Sequence, residues 1–151
     1  MLIGPKGSGK TYIGKLVDKH TSIFFLPIEP IWLSLQPNEN GWIKVEKTID
    51  EKFHSYEYLM IENLGAGEEF NKFLESLKSK YEIKMIRVFA DLDKCLSRVK
   101  TRSKKDQIIV ADSQVETYNR IASNVQFDWS IEIDNNGPAS DAEILESIKN
   151  L

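Results

Sequence analysis

Apolar residues follow two different spacings along the chain, and these spacings predict strands and helices in alternation. Short apolar runs predict five strands, at residues 1–3, 22–26, 56–63, 82–90 and 127–134. Between these runs, apolar residues three or four positions apart predict helices, as do Ile13, Leu16 and Val17 after the first run. The alternation predicts an α/β fold, a three-layer α/β/α sandwich around a five-stranded parallel sheet, in one domain over residues 1–151.

Polar residues mark the predicted helix starts and loops. Ser113 and Glu116 have the spacing of a capping box, and so do Ser140 and Glu143, which predicts the start of a helix at each pair. Residues 27–41 contain three prolines and predict a loop with one short helical turn.

The composition narrows the class of protein. With 41% hydrophobic residues, 28% charged residues and a net charge of −3, the chain lacks the basic excess of nucleic-acid-binding domains. No apolar run approaches the roughly 20 residues that a membrane helix needs. The single cysteine, Cys95, lies at helical spacing among Leu92, Leu96 and Val99, which predicts a buried structural thiol. We expect a cytoplasmic protein with no nucleic-acid or membrane partner.

The stretch GPKGSGKT, directly after the first predicted strand, carries the most specific chemistry. It has the form G-x-x-x-x-G-K-[ST], with the fixed positions filled by Gly4, Gly9, Lys10 and Thr11. Glycines let the backbone N–H groups of such a loop, here including Gly7 and Ser8, surround phosphate groups. Lys10 can reach the outer phosphates, and the Thr11 hydroxyl can ligate Mg²⁺. The sequence therefore predicts binding of a nucleoside triphosphate with Mg²⁺.

Charged residues lie at the end of the third predicted strand and after the fourth, toward the carboxyl ends where a parallel sheet binds its ligands. Glu62 closes the third predicted strand and can hold Mg²⁺ directly or through water, with a helix cap or a solvated strand end as the alternative. Arg98 and Arg102 lie on one face of the helix after the fourth strand, at the start of a loop over residues 103–111. A closing loop with paired arginines suits phosphoryl transfer, and a solvated helix face is the alternative.

These features together resemble the small P-loop kinases related to adenylate, shikimate, gluconate and deoxynucleoside kinases. The resemblance implies the strand order 2-3-1-4-5, ATP as the nucleotide and a short lid at residues 103–111. The stretch DKCLSRVKTR is similar to the helix that leads into the lid of adenylate kinases, which implies that Arg98 stacks on the base and Arg102 contacts the phosphates.

Two further stretches extend the resemblance to the end of the chain. DSQVETYNRIA resembles the helix that follows the lid, which implies that Arg120 lies near the transferred phosphate. IDNNGPASDAEI is similar to the loop after the last strand, whose backbone packs around adenine; the implied contacts are Asn135, Gly137 and Pro138.

The predicted acceptor region, residues 27–56, departs from adenylate kinases. The third strand is followed by ENLGAG instead of a D-G-[FY]-P-R type segment, and no arginine occurs between Thr11 and Met85. From Ser22 to Asn63 there are seven acidic residues and three lysines. Because this region is a poor site for a phosphate or carboxylate, we expect an uncharged or cationic acceptor, nucleoside-like or sugar-like.

Glu29 is the predicted base for such an acceptor. Glu29 and Pro30 resemble the EP pair after the second strand of deoxynucleoside kinases, whose glutamate accepts the proton of the sugar hydroxyl. The D/E-R-S motif of those kinases is replaced by ENLG, and a surface acid is the alternative reading of Glu29. Trp32 offers a stacking surface for a substrate, although Trp32 and Trp42 also suit core packing.

Two functions follow from the sequence and both remain open at this point. One is a kinase that moves the γ-phosphoryl group of ATP to a hydroxyl of a small molecule, with Lys10, Arg102, Glu29 and Arg120 as catalytic residues. The other is a nucleotide-dependent switch without a small-molecule acceptor, since ENLG has the spacing of the D-x-x-G element of GTPases. No N-K-x-D motif accompanies it.

Overall fold

The computed structural model describes residues 1–101, 110–137 and 140–151. Its elements in chain order are β1 (Leu2–Ile3), α1 (Lys10–His20), β2 (Ile23–Leu26), α2 (Glu29–Leu33), α3 (Gly41–Lys52), β3 (Tyr58–Asn63), α4 (Glu68–Lys78), β4 (Met85–Phe89), α5 (Leu92–Thr101), α6 (Asp112–Ser123), β5 (Trp129–Asp134) and α7 (Asp141–Lys149).

The five strands form one parallel sheet in the order β2-β3-β1-β4-β5, as predicted. The shortest strand, β1, is central: Leu2 lies opposite Glu62 of β3 on one side and Ile86 of β4 on the other. The chain therefore leaves the central strand at its carboxyl end and enters residues 4–11. Parallel sheets bind their ligands beyond these strand ends.

Helices cover both faces of the sheet, which confirms the three-layer prediction. Leu2 and Ile3 are fully buried and pack into different clusters, because successive side chains of a strand point to opposite faces. The cluster around Ile3 includes apolar residues of α3 and α4, and the cluster around Leu2 includes those of α1 and α7.

Pairing with neighbouring strands sets strand boundaries that the apolar spacing did not predict. β3 begins two residues later than predicted, at Tyr58, which pairs with Ile23 of β2. β4 begins three residues later than predicted, at Met85, which pairs with Trp129 of β5. The capping box of Ser140 and Glu143 is confirmed.

The capping box predicted at Ser113 and Glu116 is wrong. The N-cap of helix α6 is Ala111, two positions before Ser113, and it has no side-chain cap; the helix begins at Asp112. Ser113 consequently lies inside the first turn of the helix.

The short helical turn predicted in the proline-rich loop at residues 27–41 is present as α2.

Cys95 is fully buried, as predicted, and burial raises the pKa of its thiol. None of the helices in the described ranges is long and apolar enough to cross a bilayer. Within the same ranges, no three His, Cys, Asp or Glu side chains are arranged to hold a metal ion by themselves.

Candidate functional site

The loop between β1 and α1 is shaped by close backbone contacts. Gly4, Gly7 and Gly9 all have positive φ, and Gly7 has φ of +90°. A Cβ at Gly7 would lie 2.3 Å from the carbonyl oxygen of Cys95, so only glycine fits at this position. The loop is therefore pressed against α5, and its curvature is fixed by the surrounding fold.

Lys10 turns back into this loop from the first turn of α1. Its Nζ donates hydrogen bonds to the carbonyl oxygens of Gly4, at 2.7 Å, and Pro5, at 2.8 Å. The residue is 8% exposed, and burial lowers the pKa of its ammonium group to about 8, against the raising effect of the Glu62 carboxylate. The cation is thus directed into the loop that is predicted to surround the phosphates.

Thr11 and Glu62 meet at the side of the loop that faces β3. The Thr11 hydroxyl donates to the Glu62 carboxylate, with its oxygen 3.0 and 2.9 Å from the two carboxylate oxygens. Glu62 is 8% exposed, and its position follows from the register that sets it beside Leu2. Because Mg²⁺ prefers hard oxygen ligands, this hydroxyl and carboxylate fit the metal that the sequence predicts here.

The predicted nucleotide contacts on α5 and after β5 also converge on the loop. Arg98 donates to the carbonyl oxygens of Gly7, at 3.4 Å, and Asn135, at 2.9 Å. The Asn135 amide in turn donates to the carbonyl of Ser8 at 2.7 Å. These contacts place Arg98 where the loop and the segment after β5 meet, and its stacking on the base stays a prediction.

A cavity of about 620 Å³ lies beside Arg98 and Asn135, and Gly137 is part of its lining. Tyr12 and Asp141 also line it, and the Tyr12 hydroxyl donates a hydrogen bond to the Asp141 carboxylate. The sequence analysis missed these two residues, which lie on α1 and α7 and meet only in the folded chain. Pro138 falls outside the described residues.

A second cavity, of about 640 Å³, is lined by phosphate-loop residues and by an apolar wall. Lys10, Thr11 and Glu62 line it together with Glu29. The apolar part of its lining consists of Ile28, Trp32, Trp42, Leu64, Ala66, Val99, Val110 and Val115. The predicted base and the predicted phosphate-binding residues therefore face one space.

The two tryptophans line this cavity and also pack within the protein. Trp32 and Trp42 meet edge to face, with ring centroids 5.2 Å apart. Trp42 further packs on Phe73, at 4.9 Å between centroids, and belongs to the packing around the buried cluster of α3 and α4. The two readings of these residues are thus compatible, since a ring fixed in the core forms a rigid wall.

Helix α6 presents Asn119 to the loop, one position before the predicted Arg120. Arg120 pairs with Glu116 at 2.7 Å on the exposed side of the helix and is not part of the described lining of either cavity. Asn119 is fully buried, and its amide accepts from the Lys6 N–H at 2.7 Å and donates to the Lys6 carbonyl at 2.8 Å. A polar residue in an apolar stripe, between Val115 and Ala122, was the available signal.

Arg102 lies outside the described residues, and so does the predicted lid at residues 103–111 except for its last two positions. Their roles stay predictions.

No protein-family model and no curated protein sequence matches this chain, whereas solved structures do. A sugar kinase from Janibacter sp. HTCC2649 is 13% identical, with a TM-score of 0.67 over 99% of this chain and 90% of that chain. A deoxyadenosine kinase from M. mycoides with bound dATP is 13% identical, with a TM-score of 0.58 over 99% and 96%. A tunicamycin resistance protein from Deinococcus radiodurans is 17% identical, with a TM-score of 0.68 over 99% and 91%. The chain has a P-loop kinase-like fold, as its motifs predict.

Proposed function

We propose that this protein is an ATP- and Mg²⁺-dependent phosphotransferase that moves the γ-phosphoryl group to a hydroxyl of a small uncharged acceptor, nucleoside-like or sugar-like. The observation that carries the proposal is the shared cavity, because Lys10, Thr11 and the Glu29 carboxylate all line one space of about 640 Å³. The structural likeness to a sugar kinase and a deoxyadenosine kinase supports the same reaction class. The unpaired Cys95 supports a cytoplasmic location.

In the proposed reaction the acceptor oxygen attacks the γ-phosphorus of ATP. A new O–P bond forms, the bond from the γ-phosphorus to the bridging oxygen breaks, ADP leaves, and the hydroxyl proton passes to Glu29. Lys10 offsets the negative charge of the phosphates from within the loop. Mg²⁺ held by Thr11 and Glu62 would supply further neutralisation of that charge.

The lining of the cavity supports an uncharged acceptor. Its described cationic residues lie on the phosphate loop, α1 and α5, namely Lys6, Lys10, Lys15 and Arg98. The α2 and α3 side instead contributes Trp32, Trp42 and the Glu29 carboxylate. An anionic acceptor placed against these rings would lose its hydration and meet the like charge of Glu29, which is costly.

The alternative, a nucleotide-dependent switch without a small-molecule acceptor, gains no specific support. A switch needs a phosphate site and a surface that binds a partner. It does not require a proton acceptor such as Glu29 in a largely apolar cavity. We therefore retain the switch only as an outcome of the experiment below.

The test combines calorimetry with ³¹P NMR. ATP and GTP, each with Mg²⁺, are titrated into the wild type, Lys10→Ala and the control Lys72→Ala, which changes an exposed lysine of α4. The ATP sample is then examined with a panel of nucleosides and sugars. We expect ATP binding that Lys10→Ala abolishes and Lys72→Ala retains, with ADP and one new phosphomonoester signal. Binding without a phosphorylated product across the panel would favour the switch, and absence of binding would reject both.

A further inference from the structure

Lys6 and Glu29 form an ion pair in the lining of the cavity of about 640 Å³. The Lys6 Nζ lies 3.0 Å from the Glu29 Oε1, and the two side chains are 18% and 25% exposed. Both residues line the same cavity as Lys10 and Thr11. Ion pairs that remain partly exposed to solvent contribute little to stability. Because this pair lies beside the candidate reaction site, we expect it to have a role in function.

The backbone of the lysine in this pair is held by two hydrogen bonds. Asn119, which is fully buried, bonds to both the N–H and the carbonyl of Lys6, at 2.7 and 2.8 Å. The next residue, Gly7, is pressed against the carbonyl of Cys95, so the loop cannot shift toward α5. The Lys6 side chain therefore extends from a fixed point toward Glu29.

The glutamate side is anchored far less firmly. Glu29 is the first residue of α2, a helix of five residues in which Ile31 and Trp32 pack partly buried against the core. These contacts hold the helix, but the Glu29 side chain has three rotatable bonds that the helix restricts little. The ion pair thus ties a weakly anchored acid to the rigid phosphate loop.

Charge gives the same pair a second role. Glu29 and Glu62 both line the cavity in which the triphosphate is proposed to react. Each carboxylate repels the negative charge of the triphosphate. Glu62 lies against Thr11, at the proposed metal position. Lys6 places a positive charge beside Glu29, which offsets the repulsion at the acceptor side.

We propose that Lys6 is a positioning residue for Glu29, which holds the carboxylate at the cavity wall toward the acceptor hydroxyl and offsets its charge beside the phosphates. This inference rests on the proposed function. It gives Lys6, a variable position of the phosphate-loop pattern, a task distinct from that of Lys10.

The kinetic test uses variants matched in size. Lys6→Met removes the charge at nearly the same length, Lys6→Arg keeps it, and Lys72→Met removes an exposed lysine that pairs with Glu69 at 2.9 Å. The measured rate is ADP release from Mg²⁺-ATP with the acceptor found in the panel. We expect Lys6→Met to lower kcat about tenfold or more while KM for ATP changes by less than about threefold, and Lys6→Arg to recover most of the loss. Lys72→Met should match the wild type.

A double variant separates positioning from phosphate binding. In the Glu29→Gln background, Lys6→Met should cost less than about a further threefold in kcat, because no carboxylate is left to position. Losses that multiply in the double variant, or a rise of about tenfold in KM for ATP that persists in the Glu29→Gln background, would assign Lys6 to the phosphates and overturn the proposal. An unchanged kcat in Lys6→Met would overturn it as well.

Hydrogen exchange of the ligand-free protein tests the pair without catalysis. We expect the amides of residues 28–33 to exchange faster in Lys6→Met than in the wild type or Lys72→Met. Unchanged exchange there would overturn the positioning role even if the protein proves to be a kinase. Faster exchange in a protein that phosphorylates nothing would sustain the anchoring of Glu29 and reject the proposed function.

Discussion

The hydroxyl of Thr11 donates a hydrogen bond to the carboxylate of Glu62, across the gap between α1 and the end of β3. The two residues are 51 positions apart; the parallel register of β1 and β3 sets Glu62 beside Leu2, and the loop after β1 brings the start of α1 back to it. This pair is where the proposed Mg²⁺ would bind.

Glu62→Gln and Thr11→Val should each raise the Mg²⁺ concentration needed for half-maximal ATP turnover. We expect a shift of about tenfold or more, because each variant replaces a hard oxygen ligand by a poorer one or by none. Thr11→Ser, which keeps the hydroxyl, serves as the control. The measurement is ATP turnover as a function of Mg²⁺ at saturating ATP, and equal Mg²⁺ dependence in all variants would contradict the metal assignment.

Glu29→Gln should slow phosphoryl transfer by about a hundredfold or more, since a carboxamide cannot accept the hydroxyl proton. The affinity for Mg²⁺-ATP should stay close to that of the wild type, because Glu29 is proposed to act on the acceptor. Single-turnover rates and calorimetric titration measure the two quantities separately. Full turnover in Glu29→Gln would show that the base assignment is wrong.

Gly7→Ala should destabilise the folded protein more than Gly67→Ala. Both glycines have positive φ, +90° and +100°, so both substitutions carry a backbone strain of about 1–3 kcal/mol. Only at Gly7 would the added Cβ meet a backbone atom, the Cys95 oxygen at 2.3 Å, whereas nothing lies within 4 Å at Gly67. Urea unfolding measures both variants, and equal losses would mean that the loop can move away from α5.

Asn119→Ala should lower the free energy of unfolding by about 3 kcal/mol. The variant leaves the N–H and the carbonyl of Lys6 without their buried partner, and each unsatisfied group costs about 1–3 kcal/mol. Thr117→Ala, which removes an exposed hydroxyl from the same helix, should have little effect. A loss in Asn119→Ala no larger than that of the control would show that the two hydrogen bonds of Asn119 to Lys6 contribute little to stability.

Asp50→Asn should destabilise the protein at neutral pH but not at strongly acidic pH. The Tyr81 hydroxyl and then the Lys80 ammonium lower the pKa of Asp50 in the folded state, at 2.6 and 2.9 Å from its carboxylate. A lowered pKa contributes stability above the unfolded value of about 3.9, and this contribution is lost as pH falls through the folded value. Thermal unfolding from pH 7 to 2.5 should show the difference between the two proteins shrinking, and a constant difference would contradict the linkage.

The sequence by itself determined the α/β class, most of the elements and the phosphate loop. These follow from local causes: apolar spacing sets strands and helices, and the loop needs its residue types within eight consecutive positions. The resemblance to small kinases added the strand order. The meeting of Thr11 and Glu62 then follows, because neighbouring parallel strands end at one edge.

The tertiary structure alone decided which side chains meet across distant elements. The contact of Asn119 with Lys6 joins residues 113 positions apart, and it depends on how α6 is rotated against the loop. Asn119 is buried and the next residue, Arg120, is exposed, so the two side chains lie on different sides of α6. The spacing of residues within α6 does not tell which of these sides faces the phosphate loop. The pairs of Lys6 with Glu29 and of Tyr12 with Asp141 arise in the same way, from packing between elements rather than from the pattern within any one of them.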